Sequence, residues 1–96
     1  MARKYFVYII TNYENSVFYT GITNNLERRI WEHKNGFIKN SFSTKYRLYK
    51  LVWFEEFNSP EDAISAEKRV KDMRREKKLN FIRKLNQNFQ DLFTRC

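Results

Sequence analysis

Two short runs of β-forming residues near the start of the chain constrain its fold most. Tyr5-Phe6-Val7-Tyr8-Ile9-Ile10 and Val17-Phe18-Tyr19-Thr20 are dense in β-branched and aromatic side chains, and the stretch between them, TNYENS, is turn material. A β-hairpin is expected. A third run, YKLVWFEEF from Tyr49 to Phe57, is apolar at consecutive positions, so a strand there needs cover on both faces, and we expect it at the centre of the sheet.

The helices announce themselves by their ends. Asn24 with Glu27 three residues on resembles a capping box and Gly36 suits a stop, so a first helix is expected over Asn25 to Asn35. Ser59-Pro60-Glu61-Asp62 combines an N-cap, a proline suited to the first helical position and acids in the first turn. That helix should run to about Met73. A further amphipathic segment, with Leu79, Ile82 and Leu85 inward, should reach about Asn86, and Phe89, Leu92 and Phe93 should tie down the tail. The order is β-β-α-β-α-α, an α+β domain with one sheet of about three strands. Residues 37–48, mixed polar, basic and aromatic without a period, read as a loop that can face a ligand.

Ninety-six residues suit one domain, expected to span 1–96. With 42% hydrophobic and 18% aromatic residues, two Gly and one Pro, the composition fits neither a disordered linker nor a disulfide scaffold. The single cysteine, Cys96, allows no internal disulfide and suits a reducing interior. The apolar run Tyr5 to Ile10 is far shorter than the roughly 20 residues that cross a bilayer, and it lacks a cleavage site for a leader peptide, so no membrane partner and a cytoplasmic location are expected. The net charge of +8 draws polyanions. Its distribution sharpens the point: nine of the nineteen Lys and Arg fall between Lys68 and Lys84, with only Asp72 and Glu76 against them. Such a run is either a solvated helix face or a phosphate-binding one.

Four kinds of side chain look chemical. On a helical wheel Glu67 falls near the middle of the arc formed by Ala63, Ile64, Ala66, Val70 and Met73. A carboxylate there requires a partner, either an arginine in a buried ion pair or a metal and a pocket. On the first helix Leu26, Ile30 and Phe37 mark the inward direction, Arg29 and His33 lie one turn apart along its edge, and Arg28 points to solvent. Arg29 can neutralise Glu67 or grip a phosphate with its planar fork of donors. Tyr8 and Tyr19, on adjacent strands, can sit side by side. Phenols, a guanidinium and one carboxylate in a basic protein suit phosphodiester chemistry, because Mg²⁺ commonly binds through one or two carboxylates, waters and substrate oxygens. A phenol, with its ordinary pKa near 10, needs nearby positive charge to act as a base, and Arg29, His33 or a metal can supply it.

The motif FVY at Phe6-Val7-Tyr8, separated by ten residues from YTG at Tyr19-Thr20-Gly21, resembles the paired motif of the GIY-YIG endonuclease superfamily. Arg29 in NNLERRIWEHK, ten positions beyond the second tyrosine, matches that superfamily's catalytic arginine, and Glu67 in AISAEKRVK its metal-binding glutamate. The likeness covers nearly the whole chain and is strongest to the small, single-domain, excinuclease-subunit-like bacterial proteins. It implies a small three-stranded mixed sheet flanked by helices, Mg²⁺ or Mn²⁺, and hydrolysis of a DNA strand. Tyr8 and Tyr19 would be the motif tyrosines and one of them the general base. Arg29 would stabilise the transition state, Glu67 would hold the metal, and His33 would support the water or the base. Phe6, Val7, Thr20 and Ile22 depart from the motif at backbone positions, and a late asparagine used by some relatives has Asn80 as its candidate.

A metal-dependent DNA endonuclease or nickase in DNA repair or processing is therefore the first expectation. Lys68, Lys71, Arg74, Arg75, Lys77 and Lys78 would contact the DNA backbone, with specificity structural or supplied by a protein partner. The alternatives are a nucleic-acid binding module that has lost cleavage and a protein-interaction domain.

Overall fold

A computed structural model describes residues 4–36 and 45–93. Phe37, Cys96 and most of the loop expected over 37–48 lie outside the described residues. The strands are β1 (Tyr5–Thr11), β2 (Phe18–Thr23) and β3 (Lys50–Phe57); the helices are α1 (Leu26–Lys34), α2 (Pro60–Lys71) and α3 (Arg75–Leu85).

The hairpin forms because its turn is pinned from two sides. The Asn12 side-chain oxygen accepts from the backbone N–H groups of Ser16 and Val17, and Asn15 takes a positive φ of 57°. From α3, Arg75 donates to the carbonyls of Ser16 and Asn15 and lies over the Phe18 ring. β2 runs three residues beyond its expected end, through Gly21, Ile22 and Thr23, which pair with Tyr8, Val7 and Phe6.

The sheet order is β2-β1-β3, with both pairings antiparallel. Two expectations change. β3 is an edge strand and not the centre, and the sheet is antiparallel and not mixed, because β1 separates the two strands that run in the same direction. β3 looked central because both its faces are covered. Val52 and Trp53 pack with Val7, Ile9, Ala63, Ala66, Val70 and Ile82 on the α2–α3 side, while Leu51 joins Tyr8, Ile10, Ile30 and Leu48 on the α1 side. A register shift between Ile9 and Ile10, which pair with Trp53 and Leu51, leaves Val52 as the extra residue of a bulge. Its carbonyl is met by the buried Asn86 side chain. The tail then wraps the β3 edge: Phe89 packs on the α2–α3 side, Leu92 donates to the Leu51 carbonyl, and Leu92 and Phe93 pack on the α1 side. The expected tail anchors hold.

Helix ends follow local chemistry. Ser59 caps α2 by accepting from the Asp62 N–H, with Pro60 opening the helix. α1 is capped by Asn25 and not by Asn24, its side chain accepting from the Arg28 N–H, and Gly36 at φ 69° closes the other end. α2 stops at Lys71, two residues short of Met73, with Asp72 as its C-cap. Ile64 and Leu85, expected inward, are exposed. Ala63 and Ala66 are small enough to bring α2 close to the sheet, which narrows its buried arc, and Leu85 is the last residue of α3. Phe81 faces inward in its place, packed on Trp53 with ring centroids 4.9 Å apart and planes tilted by 47°. No described helix is long and apolar enough to cross a membrane.

Candidate active site

β1 alternates its side chains, so Val7 and Ile9 face α2 and α3 while Tyr8 and Ile10 face α1. Tyr8 is therefore buried under α1, where His33 meets it. Its hydroxyl and His33 Nε2 share a hydrogen bond of 3.2 Å. Tyr19, on β2 opposite Ile10, completes a triangle of rings: centroid separations are 6.4 Å for Tyr8–Tyr19, 5.9 Å for Tyr8–His33 and 6.1 Å for Tyr19–His33. Gly21, the β-partner of Tyr8, makes the room. A Cβ on Gly21 would stand 2.5 Å from Tyr8 Cζ and 2.9 Å from Cε1, so the third residue of the YTG motif serves the tyrosine of the first motif.

Arg29 borders this cluster. Its side chain is 43% exposed against 74% for Arg28, as the wheel indicated. Both arginines pair with Glu32, at 3.2 Å for Arg29 and 3.3 Å for Arg28. The sequence reading missed Glu32, although its i,i+3 and i,i+4 spacing was visible. A polar cleft of about 240 Å³ opens here, lined by Thr23, Asn24, Asn25, Arg28, Arg29 and Glu32.

Electrostatics set the resting state of the rings. Burial pushes the Tyr8 phenol up to about 12; the Tyr19 phenol and, more weakly, Glu67 add to this, while Arg29 opposes it by charge and hydrogen bonding. His33 goes the other way, down to about 4, because burial and then the neighbouring Arg29 disfavour the imidazolium, with Glu32 opposing. Burial works against the charge of Arg29, but the Tyr8 phenol and Glu32 overcome it and its pKa lies above the ordinary arginine value. Arg29 lowers the Tyr8 pKa as expected, but desolvation outweighs it and the phenol is raised overall. His33 is neutral and supplies no charge.

Glu67 comes to the site from the other face of the sheet. It is neither sealed in the core nor held by Arg29: its side chain is 18% exposed and pairs with Lys71, one helical turn on, at 3.5 Å. α2 packs against the edge strand β2, which brings the carboxylate close enough to bear on the charge of Tyr8. Among the described residues no three His, Cys, Asp or Glu gather as a metal-binding group. One accessible carboxylate with a loosely held ammonium partner still fits Mg²⁺, which keeps several waters and takes substrate phosphate oxygens.

Residues 4–80 match the description of the GIY-YIG catalytic domain. The chain belongs to the GIY-YIG family. Within this family it is 38% identical over 82 residues to a UPF0213 protein of Limosilactobacillus reuteri, covering 84% of each chain. It is 40% identical over 77 residues to one of Clostridium perfringens, covering 80% of this chain and 81% of that one. The solution structure of a UPF0213 protein from Bacillus halodurans has the same fold, with a TM-score of 0.58 at 28% identity over 92% of each chain. The GIY-YIG match runs from the start of β1 into α3 and so contains Tyr8, Tyr19, Arg29, His33 and Glu67.

The basic residues of this GIY-YIG domain divide. Lys68, Arg74 and Lys77 are exposed, Lys71 is exposed beside Glu67, Lys78 is half-buried with its pKa lowered by desolvation, and Arg75 is spent on the hairpin turn. α2 and α3 cover the face of the sheet opposite Tyr8 and Tyr19, so a ligand must round an edge of the sheet to touch both sets. Asn80 is exposed, its side chain accepting from Arg83 on its own helix.

Proposed function

We propose that this protein is a divalent-metal-dependent DNA endonuclease or nickase. The observation that carries it is the Tyr8–Tyr19–His33 triangle bordered by Arg29, assembled from three elements around the space left by Gly21. Structural packing alone does not need a buried phenol hydrogen-bonded to a neutral imidazole beside a guanidinium.

Glu67 would hold Mg²⁺ or Mn²⁺, which supplies charge neutralisation at the scissile phosphate. Arg29 binds a phosphate oxygen with its forked donors and stabilises the charge that grows there. With its phenol pushed up to about 12, Tyr8 does not act as a free phenolate at neutral pH. It works as a relay: its oxygen accepts the proton of an attacking water while its own proton passes to His33 Nε2, which the lowered pKa keeps unprotonated at neutral pH and makes a weak, short-lived holder of that proton. Tyr19 closes the other side of the water's position.

Plasmid nicking with Mg²⁺ is the test. Cleavage by the wild type, lost by about 10²-fold or more in Tyr8→Phe and Glu67→Ala with DNA binding kept, supports the proposal. Tight, salt-sensitive DNA binding with no cleavage of duplex, branched or single-stranded DNA would select the second reading, a binding module without activity. The raised phenol of Tyr8 and the Lys71 partner of Glu67 favour that reading.

A further inference from the structure

Beyond the Ile10–Tyr19 pair, at the end of β1, a larger cleft of about 940 Å³ opens. Its wall includes Tyr46, Arg47, Tyr49 and Lys50, from the segment Lys45-Tyr46-Arg47-Leu48-Tyr49-Lys50, in which basic and aromatic residues alternate around one apolar position. Leu48 is that anchor, fully buried in the cluster that contains Tyr8. With Leu48 fixed, its neighbours are held outward: Tyr46 is 40% and Tyr49 38% exposed, and Arg47 has a positive φ of 58°. Lys34, the residue after His33, donates to the Tyr49 carbonyl at 2.7 Å, joining this segment to the end of α1 that carries the catalytic imidazole.

The charges of the cleft are unevenly satisfied: the acids Glu14 and Asp91 line it with Lys34, Arg47 and Lys50. Asp91 is fully engaged, accepting from Lys34 and from the backbone N–H groups of Leu51 and Phe93. Arg47 and Lys50 form no ion pair among the described residues, although Asp91 bears on the charge of Lys50, and the Lys45 ammonium lies 5.5 Å from the centre of the Tyr46 ring. Exposed tyrosines between cations that form no ion pair are what an unpaired strand needs, because bases stack on phenol rings while cations track the phosphates. A duplex offers its phosphates but not its base faces.

We propose that this cleft seats unpaired DNA, with a base stacked on Tyr46 or Tyr49 and the adjoining phosphates met by Arg47 and Lys50. Resting on the endonuclease reading above, this gives the substrate a form: DNA with a single-stranded portion that enters the cleft while the scissile phosphate lies at Arg29.

Binding is measured by fluorescence anisotropy in EDTA, with labelled oligo(dT) and with a blunt duplex. Tyr46→Ala/Tyr49→Ala should weaken oligo(dT) binding by about 10-fold or more and leave duplex binding within about 3-fold. Tyr46→Phe/Tyr49→Phe keeps the rings and should bind like wild type, which separates stacking from misfolding. Ultraviolet cross-linking of wild type to an oligonucleotide carrying 5-bromodeoxyuridine should mark Tyr46 or Tyr49. Cross-links confined to α2 and α3, or equal loss of both DNAs in the alanine variant, would overturn the site. A wild type that binds oligo(dT) through these tyrosines but nicks no DNA keeps the cleft and removes the endonuclease. A nicking wild type without tyrosine-dependent oligo(dT) binding does the reverse.

Discussion

The Tyr8 ring lies against Gly21, its β-partner on the neighbouring strand, so closely that no other residue fits there without moving the phenol. The glycine of the YTG motif thus acts through distance and not through backbone conformation, since the chain there is an ordinary strand. Gly21→Ala should cost about 1–3 kcal/mol in urea unfolding, the usual penalty for overpacking a filled site. It should also displace Tyr8 from His33 and reduce nicking as far as Tyr8→Phe does. A Gly21→Ala protein with full stability and full cleavage would show that the ring has room to shift.

His33 makes stability depend on pH. Its folded pKa of about 4 lies below the unfolded value of about 6.5, so the unfolded chain binds more protons between these limits. The stabilisation is complete above pH 6.5 and is lost as pH falls toward 4, amounting to at most about 3 kcal/mol. Urea midpoints of wild type and His33→Gln should therefore converge on acidification. Parallel profiles would mean that the imidazole titrates normally.

At the alkaline end Tyr8 gives the opposite slope. With its phenol pushed up to about 12 against an unfolded value near 10, its contribution is present below pH 10 and disappears as pH rises toward 12. Absorbance titration at 295 nm should resolve one late tyrosine that is missing from Tyr8→Phe.

Arg75 should behave as a structural residue. Its guanidinium joins the start of α3 to two turn carbonyls and to the Phe18 ring. Arg75→Ala should lower stability by about 1–2 kcal/mol and leave the salt dependence of DNA binding nearly unchanged. Lys68→Ala, at an exposed position, should do the reverse. If Arg75→Ala flattens the salt slope instead, the arginine leaves the turn to meet phosphate.

Thr20, between the motif's tyrosine and glycine, carries a buried hydroxyl oxygen with no hydrogen-bond partner among the described residues. Thr20→Val, nearly the same shape, should raise stability by about 1 kcal/mol in urea unfolding. A loss would reveal a partner for that oxygen.

The sequence by itself determined what nearest neighbours control. Ser59-Pro60 and Asn12 set a helix start and a turn through bonds spanning a few residues, and helical periodicity separated Arg29 from Arg28 before any tertiary contact was known. The set Tyr8, Tyr19, Arg29, His33 and Glu67 was legible as motif spacing. Only the tertiary structure decided which strand is central, that Arg29 takes Glu32 while Glu67 takes Lys71, and that the resting phenol and imidazole are both neutral. Strand order depends on which distant segments cover which face, and a pKa depends on how completely other elements remove water, so neither is encoded within a few residues of the group concerned.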